Sequence, residues 1–395
     1  MRERALFLAL LGINGLILFL QIKGLSIGYH EAEILYGERS LLQLLISSSI
    51  HIFGQNDYAL RMPMIGLHLV SVFLLYSISK HFVSRESERL WIVFVYVLLP
   101  GVTSAALVVD SAGLIITLLF LFAYIYLNYG RYALVLGSIL ILVDSSFAYL
   151  FFALILYGIN RRDHIYTLFG IIALILSLSI YGIHVGGTPE SRFLDALGVY
   201  TAIFSPIVFI YFFYVLYRRM IAKEWDLIWM IAMSAFMISL LLSFRQKVEI
   251  QTFAPFFLFA LPLAAQTFLY TYRIRLPEFR GQYRILFYTA FTLLIANALA
   301  VFFNHYLYRF LSDPTRHFSY PMHVVKELSS VLHKNEIRCI DAENKKLQLR
   351  LHFYGITQCE DYRLDREFHL GAKKVTISYM EKPIYEIYVT KVNKW

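Results

Sequence analysis

Arg245 and Lys247 flank Gln246 in a seven-residue gap between two apolar runs, 225–243 and 251–271. His30 and Glu31 lie just beyond the first apolar run, Glu33 follows two residues later, and Asp110 separates the third and fourth runs. A carboxylate at such a rim can accept a proton from an attacking hydroxyl. It can also share a divalent cation with a phosphate, and Glu31 and Asp110 would then be the ligands. An arginine can grip a phosphate through its planar fork, and a lysine acts as a point charge. Each residue also has a plainer reading. His30, Glu31 and Glu33 could lie in a solvated loop, Asp110 could close a tight turn, and Arg245 and Lys247 could snorkel at the interface. Asp144, in Leu-Val-Asp-Ser-Ser, reads more simply as the cap of a helix start.

These residues are conspicuous because the chain around them is so apolar. Of 395 residues, 58% are hydrophobic and 16% charged, and the mean hydropathy is +0.60. Soluble domains hold about 45–50% apolar residues. Charge at membrane depth costs about 2.5–3.5 kcal/mol per residue even on the mild insertion scale. A net charge of +9 in such a chain points to loops that touch anionic headgroups and not to nucleic acid.

Eleven hydrophobic segments can be read: approximately 5–22, 60–80, 89–108, 111–128, 131–143, 146–159, 164–183, 199–217, 225–243, 251–271 and 284–307. The fifth and sixth are short and could be tilted, or form one broken or re-entrant pair around Asp144. One set of short connections carries 15 Lys and Arg and the other carries 6, so the first set is expected to be cytoplasmic. The N-terminus is then cytoplasmic and the C-terminus outside, and His30, Glu31, Asp110, Arg245 and Lys247 share the outer side. The first segment follows a basic Met1–Arg4 but runs into Gln21-Ile22-Lys23 with no small-residue cleavage site. It is expected to be an uncleaved first helix.

Residues 37–53 are apolar but interrupted, with Leu41, Leu44, Leu45 and Ile52 at roughly helical spacing. They read as a helix lying in the interface, because a crossing here would spoil the charge separation. The chain divides at this level into a membrane domain, 1–307, and a soluble outer domain, 308–395. In the tail, Val324, Val325, Leu328, Val331 and Leu332 follow helical spacing between Pro321 and Asn335. Residues 336–340, 373–379 and 384–392 read as strands. Cys339 and Cys359, the two cysteines of the chain, both fall there. They can form a disulfide if the domain is outside, or remain two buried thiols.

No metal-spaced Cys/His cluster, phosphate-cradling glycine loop or serine elbow occurs. The order of elements does, however, resemble membrane glycosyltransferases of the GT-C class, in the branch of protein O-mannosyltransferases and the lipid A aminoarabinose transferase. That pattern has an acidic pair after the first helix, an interfacial helix ending in Phe-Gly, Arg-x-Pro opening the second membrane helix, and an Asp in the second outer loop. Here these read His30-Glu31, 37–53, Phe53-Gly54, Arg61-Met62-Pro63 and Asp110. Lys247, Pro255 and Pro262 resemble the family's basic residue before a proline-punctuated helix. Two positions depart from the pattern: His30 replaces an Asp, and Asp144 stands where many relatives place a Lys.

The resemblance implies a polytopic α-helical membrane protein, GT-C-like, with about eleven transmembrane helices and a small α+β outer domain. It implies transfer of a sugar from a polyprenyl-phosphate donor to an envelope acceptor at the outer face of the cytoplasmic membrane. Glu31 and Asp110 carry over as candidate catalytic groups; His30 does not match, so either Glu31 takes over as base, His30 serves, or the chemistry is altered. Arg61 and Lys247 would hold the donor phosphate, with Arg245 as a substitute and a divalent cation as an optional cofactor. A transporter would instead favour ionisable residues near mid-membrane and duplicated halves, and neither is evident. A non-catalytic binder of lipid-linked sugars is the closer rival, because His30 breaks the acidic pair.

Overall fold

The computed structural model describes residues 2–182, 192–309, 311, 313, 317, 320–342, 344–365, 372–379 and 382–391. Helices dominate. In chain order they are α1 (Arg2–Gln21), α2 (Tyr29–Tyr36), α3 (Leu41–Phe53), α4 (Asp57–Ser79), α5 (Glu86–Leu98), α6 (Pro100–Leu107), α7 (Ser111–Tyr129), α8 (Ala133–Leu140) and α9 (Ala148–Arg161). There follow α10 (His164–Tyr181), α11 (Phe193–Phe204), α12 (Pro206–Ala222), α13 (Leu227–Ser243), α14 (Ile250–Phe257), α15 (Ala260–Ile274), α16 (Arg280–Phe302), α17 (Pro321–Lys334) and α18 (Lys345–Phe353). The chain forms two compact units. The first comprises 1–15, 66–106 and 111–298, and the second 16–65, 107–110 and 299–395. The tail therefore packs in one unit with the segments that carry His30, Arg61 and Asp110, although composition alone sets it apart from residue 308 onward.

The first unit is a bundle whose buried faces are aliphatic and aromatic, with Phe120, Tyr200, Phe204, Phe236 and Phe257 in its core. Its other faces leave large apolar side chains exposed, such as Leu168, Ile172, Ile175 and Leu176 on α10. Such faces suit lipid tails better than water. Caps mark the helix starts. Asp226 accepts from the Trp229 amide at 2.7 Å, and Asp144 from the Ser146 amide at 2.8 Å. Asp144 thus does cap a turn, as its Ser-Ser context suggests.

The hydrophobic segments are more broken than their composition indicates. Among the described residues, five helical stretches have the length and apolarity to cross a membrane, or eight if each bent helix pair counts as one span. Two of the three pairs bend just ahead of a proline. α5 and α6 meet at 66° before Pro100, and α11 and α12 at 107° where Ser205 takes φ +69° ahead of Pro206. A proline lacks the amide that would continue the preceding helix. Segments 131–143 and 146–159 become α8 and α9, of 8 and 14 residues. At ~12 Å and ~21 Å, each is shorter than the ~30 Å hydrocarbon core.

In the second unit, α3 is capped by Ser40, whose hydroxyl accepts from the Gln43 amide at 3.1 Å, and it stops at Gly54, with φ +80°. Its 13 residues reach only ~20 Å, too short to span. Leu41, Leu44, Leu45, Ile52 and Phe53 stay exposed while Leu42 and Ile46 are buried. Apolar side chains thus lie on its outward side as well as its buried one. α4 starts behind Asn56, whose side-chain oxygen accepts from the Ala59 amide at 2.8 Å.

The tail forms a small α+β module. α17 and α18 pack on a three-stranded antiparallel sheet of β1 (Tyr362–Asp365), β2 (Lys373–Tyr379) and β3 (Lys382–Lys391), in the order β1-β3-β2. Val375 pairs with Ile387 and Leu364 with Val389, which turns one apolar row onto Leu328, Leu332 and Leu351. Two sequence expectations need correction. Residues 336–340 are not a strand: they make isolated bridges, Cys339 to Thr357 and then Asp341 to Arg363, while β1 takes the place beside β3. Residues 345–353 form a helix that sequence reading passed over. Asn344 caps it by accepting from the Lys346 amide, and Leu347, Leu351 and Phe353 bury its inner side.

Cys339 and Cys359 are joined in a disulfide with their Cα atoms 5.4 Å apart, closing a separation of 20 residues. A loop of that size stabilises the fold by about 3 kcal/mol through the unfolded chain. The double variant Cys339→Ser/Cys359→Ser should therefore weaken the tail module by roughly that amount. Proteolysis within residues 339–359 should accelerate by about two orders of magnitude, while cleavage in the first unit's loops stays unchanged. Equal cleavage rates for the variant and the disulfide-bonded protein would show that the bridge adds no stability.

Candidate active site

Glu31 begins the account because it is charged and has no exposed surface. It sits in the first turn of α2, where its Oε2 accepts from the Gly28 amide at 2.7 Å and so caps its own helix. The same oxygen lies 2.8 Å from Nη2 of Arg61, which is also fully buried. The other oxygen, Oε1, accepts from the Val109 amide at 2.9 Å. Arg61 donates further to the Ser26 carbonyl at 2.9 Å and the Leu25 carbonyl at 3.4 Å. Asp57, one turn earlier on α4, places Oδ1 3.8 Å from Arg61 Nη1. Buried charges persist only when paired and hydrogen-bonded, and this group meets that condition with two carboxylates, one guanidinium and four backbone groups.

The consequence is positional. Glu31 ties α2 to the 107–110 turn, so the backbone just before Asp110 is held by a buried carboxylate. His30 and Glu33 lie on the outer side of α2, as their i, i+3 spacing requires. His30 Nε2 is 4.0 Å from Asp110 Oδ1, and His30 Nδ1 is 3.7 Å from Glu33 Oε2. The side chains of His30, Glu33 and Asp110 are 63%, 45% and 22% exposed. The imidazole therefore lies between two carboxylates, one on its own helix and one on the 107–110 turn.

Glu31 and Arg61 need revised roles. The sequence suggested a base and a phosphate ligand, yet here they bind each other and are shut off from solvent. Glu31 also does not fit a divalent cation, because both its oxygens are taken by three donors and one is a guanidinium. The closest metal-like grouping among the described residues is Cys339, Cys359 and Asp361, whose sulfurs are consumed in the disulfide. The Asp110 side chain is 22% exposed, whereas Glu31 is fully buried.

Arg245 and Lys247 lie in the turn between α13 and α14, in the first unit, and both are exposed. Neither makes an ion pair among the described residues. Pro255 sits within α14 and Pro262 in the first turn of α15. Sequence reasoning passed over Asp57, Lys326 and Tyr354. The Tyr354 hydroxyl donates to Asp57 Oδ1 at 2.7 Å and accepts from the Ile27 amide at 3.0 Å. Lys326 Nζ lies 2.7 Å from Asp57 Oδ2. Burial, followed by the charge and hydrogen bond of Asp57, pushes the Tyr354 phenol well above its usual range. It therefore stays a donor at any working pH.

No family model matches the chain, and no curated protein does. The crystal structure of ArnT from Cupriavidus metallidurans in the apo state is similar to it over 98% of this chain and 97% of that one, with a TM-score of 0.58 and 10% sequence identity. A likeness over nearly the full length of both chains, at such low identity, is one of architecture. The chain is a multi-pass α-helical membrane protein with the GT-C glycosyltransferase-like fold.

Proposed function

We propose that this protein transfers a sugar from a polyprenyl-phosphate donor to an acceptor at the outer face of the cytoplasmic membrane. The single observation that carries the reading is the placement of half-buried Asp110 beside His30, on a turn tied through the Val109 amide to the buried Glu31–Arg61 pair, within a GT-C-like fold. In the reaction, the bond between the anomeric carbon and the phosphate oxygen breaks, and its electron pair leaves with the lipid phosphate. The acceptor's oxygen or nitrogen forms the new bond to that carbon, and its proton passes to Asp110. The resemblance assigns the charge that develops on the departing phosphate to Lys247, with Arg245 as its substitute. A bilayer-embedded donor reaches such a site sideways, its phosphate at the rim. On this reading the N-terminus is cytoplasmic and the tail extracytoplasmic. The disulfide supports that side, since such bridges persist in oxidising compartments.

The test uses full-length protein in lipid nanodiscs, polyprenyl-phosphate sugars as donor and an envelope extract as acceptor, with free polyprenyl phosphate as the readout. Release that depends on both protein and acceptor is expected. Donor that binds without ever being consumed would favour a non-catalytic lipid-sugar binder. Lys247→Ala should raise the KM for donor about tenfold, the scale of one charge-assisted hydrogen bond. Its folding should be unchanged, because a rim charge contributes little to stability. An unchanged KM would remove Lys247 from the phosphate site.

A further inference from the structure

We infer that Tyr354 and Lys326 are positioning residues for Asp110, acting from the tail module through Asp57, Arg61 and Glu31. The inference rests on the proposed role of Asp110 and adds the tail as part of the working site. The chain of contacts is continuous. Tyr354 and Lys326 both hold Asp57, at 2.7 Å each. Asp57 faces Arg61 Nη1 at 3.8 Å, Arg61 holds Glu31 at 2.8 Å, and Glu31 holds the Val109 amide at 2.9 Å. Lys326 also donates to the Lys23 carbonyl at 3.1 Å, and the Ser26 amide donates to the Met322 carbonyl at 2.7 Å.

Two features make this more than packing. Asp57 is 6% exposed and accepts from two tail side chains, one on each oxygen, so its orientation toward Arg61 is set by the tail. In addition, Tyr354 belongs to the disulfide-closed loop 339–359, which is held locally by Gln55 donating to the Phe353 carbonyl at 2.7 Å. The loop therefore stays in place when the Tyr354 hydroxyl alone is removed, and the hydroxyl's effect can be read separately. Buried networks of this kind couple beyond direct neighbours.

The experiment compares wild type, Tyr354→Phe and Lys326→Met, as full-length protein in nanodiscs, by hydrogen exchange and by donor turnover. Tyr354→Phe should speed exchange about tenfold at the Val109 amide, which Tyr354 does not touch, as well as at Ile27, which it does. Turnover should fall about tenfold through kcat, with the KM for donor unchanged, because neither residue meets substrate. Lys326→Met should act in the same direction. In an Asp57→Asn background Tyr354→Phe should add little, since both act on one link. Faster exchange confined to Ile27 and the 344–354 segment would overturn the inference and leave Tyr354 a local contact. Faster exchange at Val109 with wild-type kcat would overturn the link to the reaction. If wild type itself turns over no donor while the Val109 response holds, the coupling stands and the transferase reading fails.

Discussion

Asp110→Asn should lower turnover of the lipid-linked donor by 10²–10⁴-fold, the range typical of losing a positioned proton acceptor. The substitution keeps the shape of the side chain and removes its charge. Asp110 precedes α7 and follows the Val109 amide that Glu31 anchors, so the backbone of the turn should hold. His30→Gln should cost less, about tenfold, because it removes only the imidazole 4.0 Å from Asp110 and leaves the carboxylate itself in place. Parallel assays of kcat and donor KM decide the matter. A variant at position 110 with wild-type kcat would remove Asp110 from the reaction.

Breaking the buried pair should have the largest effect on stability. Arg61→Met leaves Glu31 buried with no cation beside it, which costs about 3–5 kcal/mol, and Glu31→Gln leaves Arg61 with only the longer Asp57 contact at 3.8 Å. Both residues have no exposed surface, so solvent cannot take over the lost contact. The expected outcome is poor recovery of folded protein, or a clear drop in its unfolding temperature in detergent. The double variant Glu31→Leu/Arg61→Met should regain part of that loss, because neutral apolar pairs often replace buried ion pairs at little cost. It should not regain activity, since the Gly28 and Val109 amides lose their acceptor and the turn carrying Asp110 is released. Single variants as stable as wild type would mean that the pair is solvated and the site more open than the geometry implies.

Much of the architecture was legible in the sequence, because membrane solvation writes itself into composition. The long apolar segments, the helix at 41–53 and the helix at 321–334 all follow from periodicity and caps. The breaks at Leu99, Ser205 and Leu258–Phe259 were less visible, since each interrupts a run that remains apolar on both sides. The strand expected at 336–340 failed for a related reason. Its residues are apolar enough to be buried, but pairing with β3 went to Tyr362–Asp365.

The site was legible by residue type and not by direction. The motif order picked out His30, Glu31, Arg61 and Asp110, and spacing put residues 30 and 33 together and turned 31 away. It could not say that 31 points inward to Arg61, because that depends on a partner 30 residues distant. Asp57 carried a faint signal, one turn before Arg61 on the same helix. Tyr354 and Lys326 carried none, since their contacts to Asp57 exist only once the tail has packed.

The most direct test of the central claim follows both products of one reaction. Full-length protein in nanodiscs is given a polyprenyl-phosphate sugar carrying a labelled sugar, together with an envelope extract, and free polyprenyl phosphate and labelled acceptor are measured over time. The account predicts that the two appear in equal amounts, and that both fall by at least 10²-fold with Asp110→Asn. Donor left intact by well-folded wild-type protein in the presence of acceptor, or equal yields from wild type and Asp110→Asn, would contradict it.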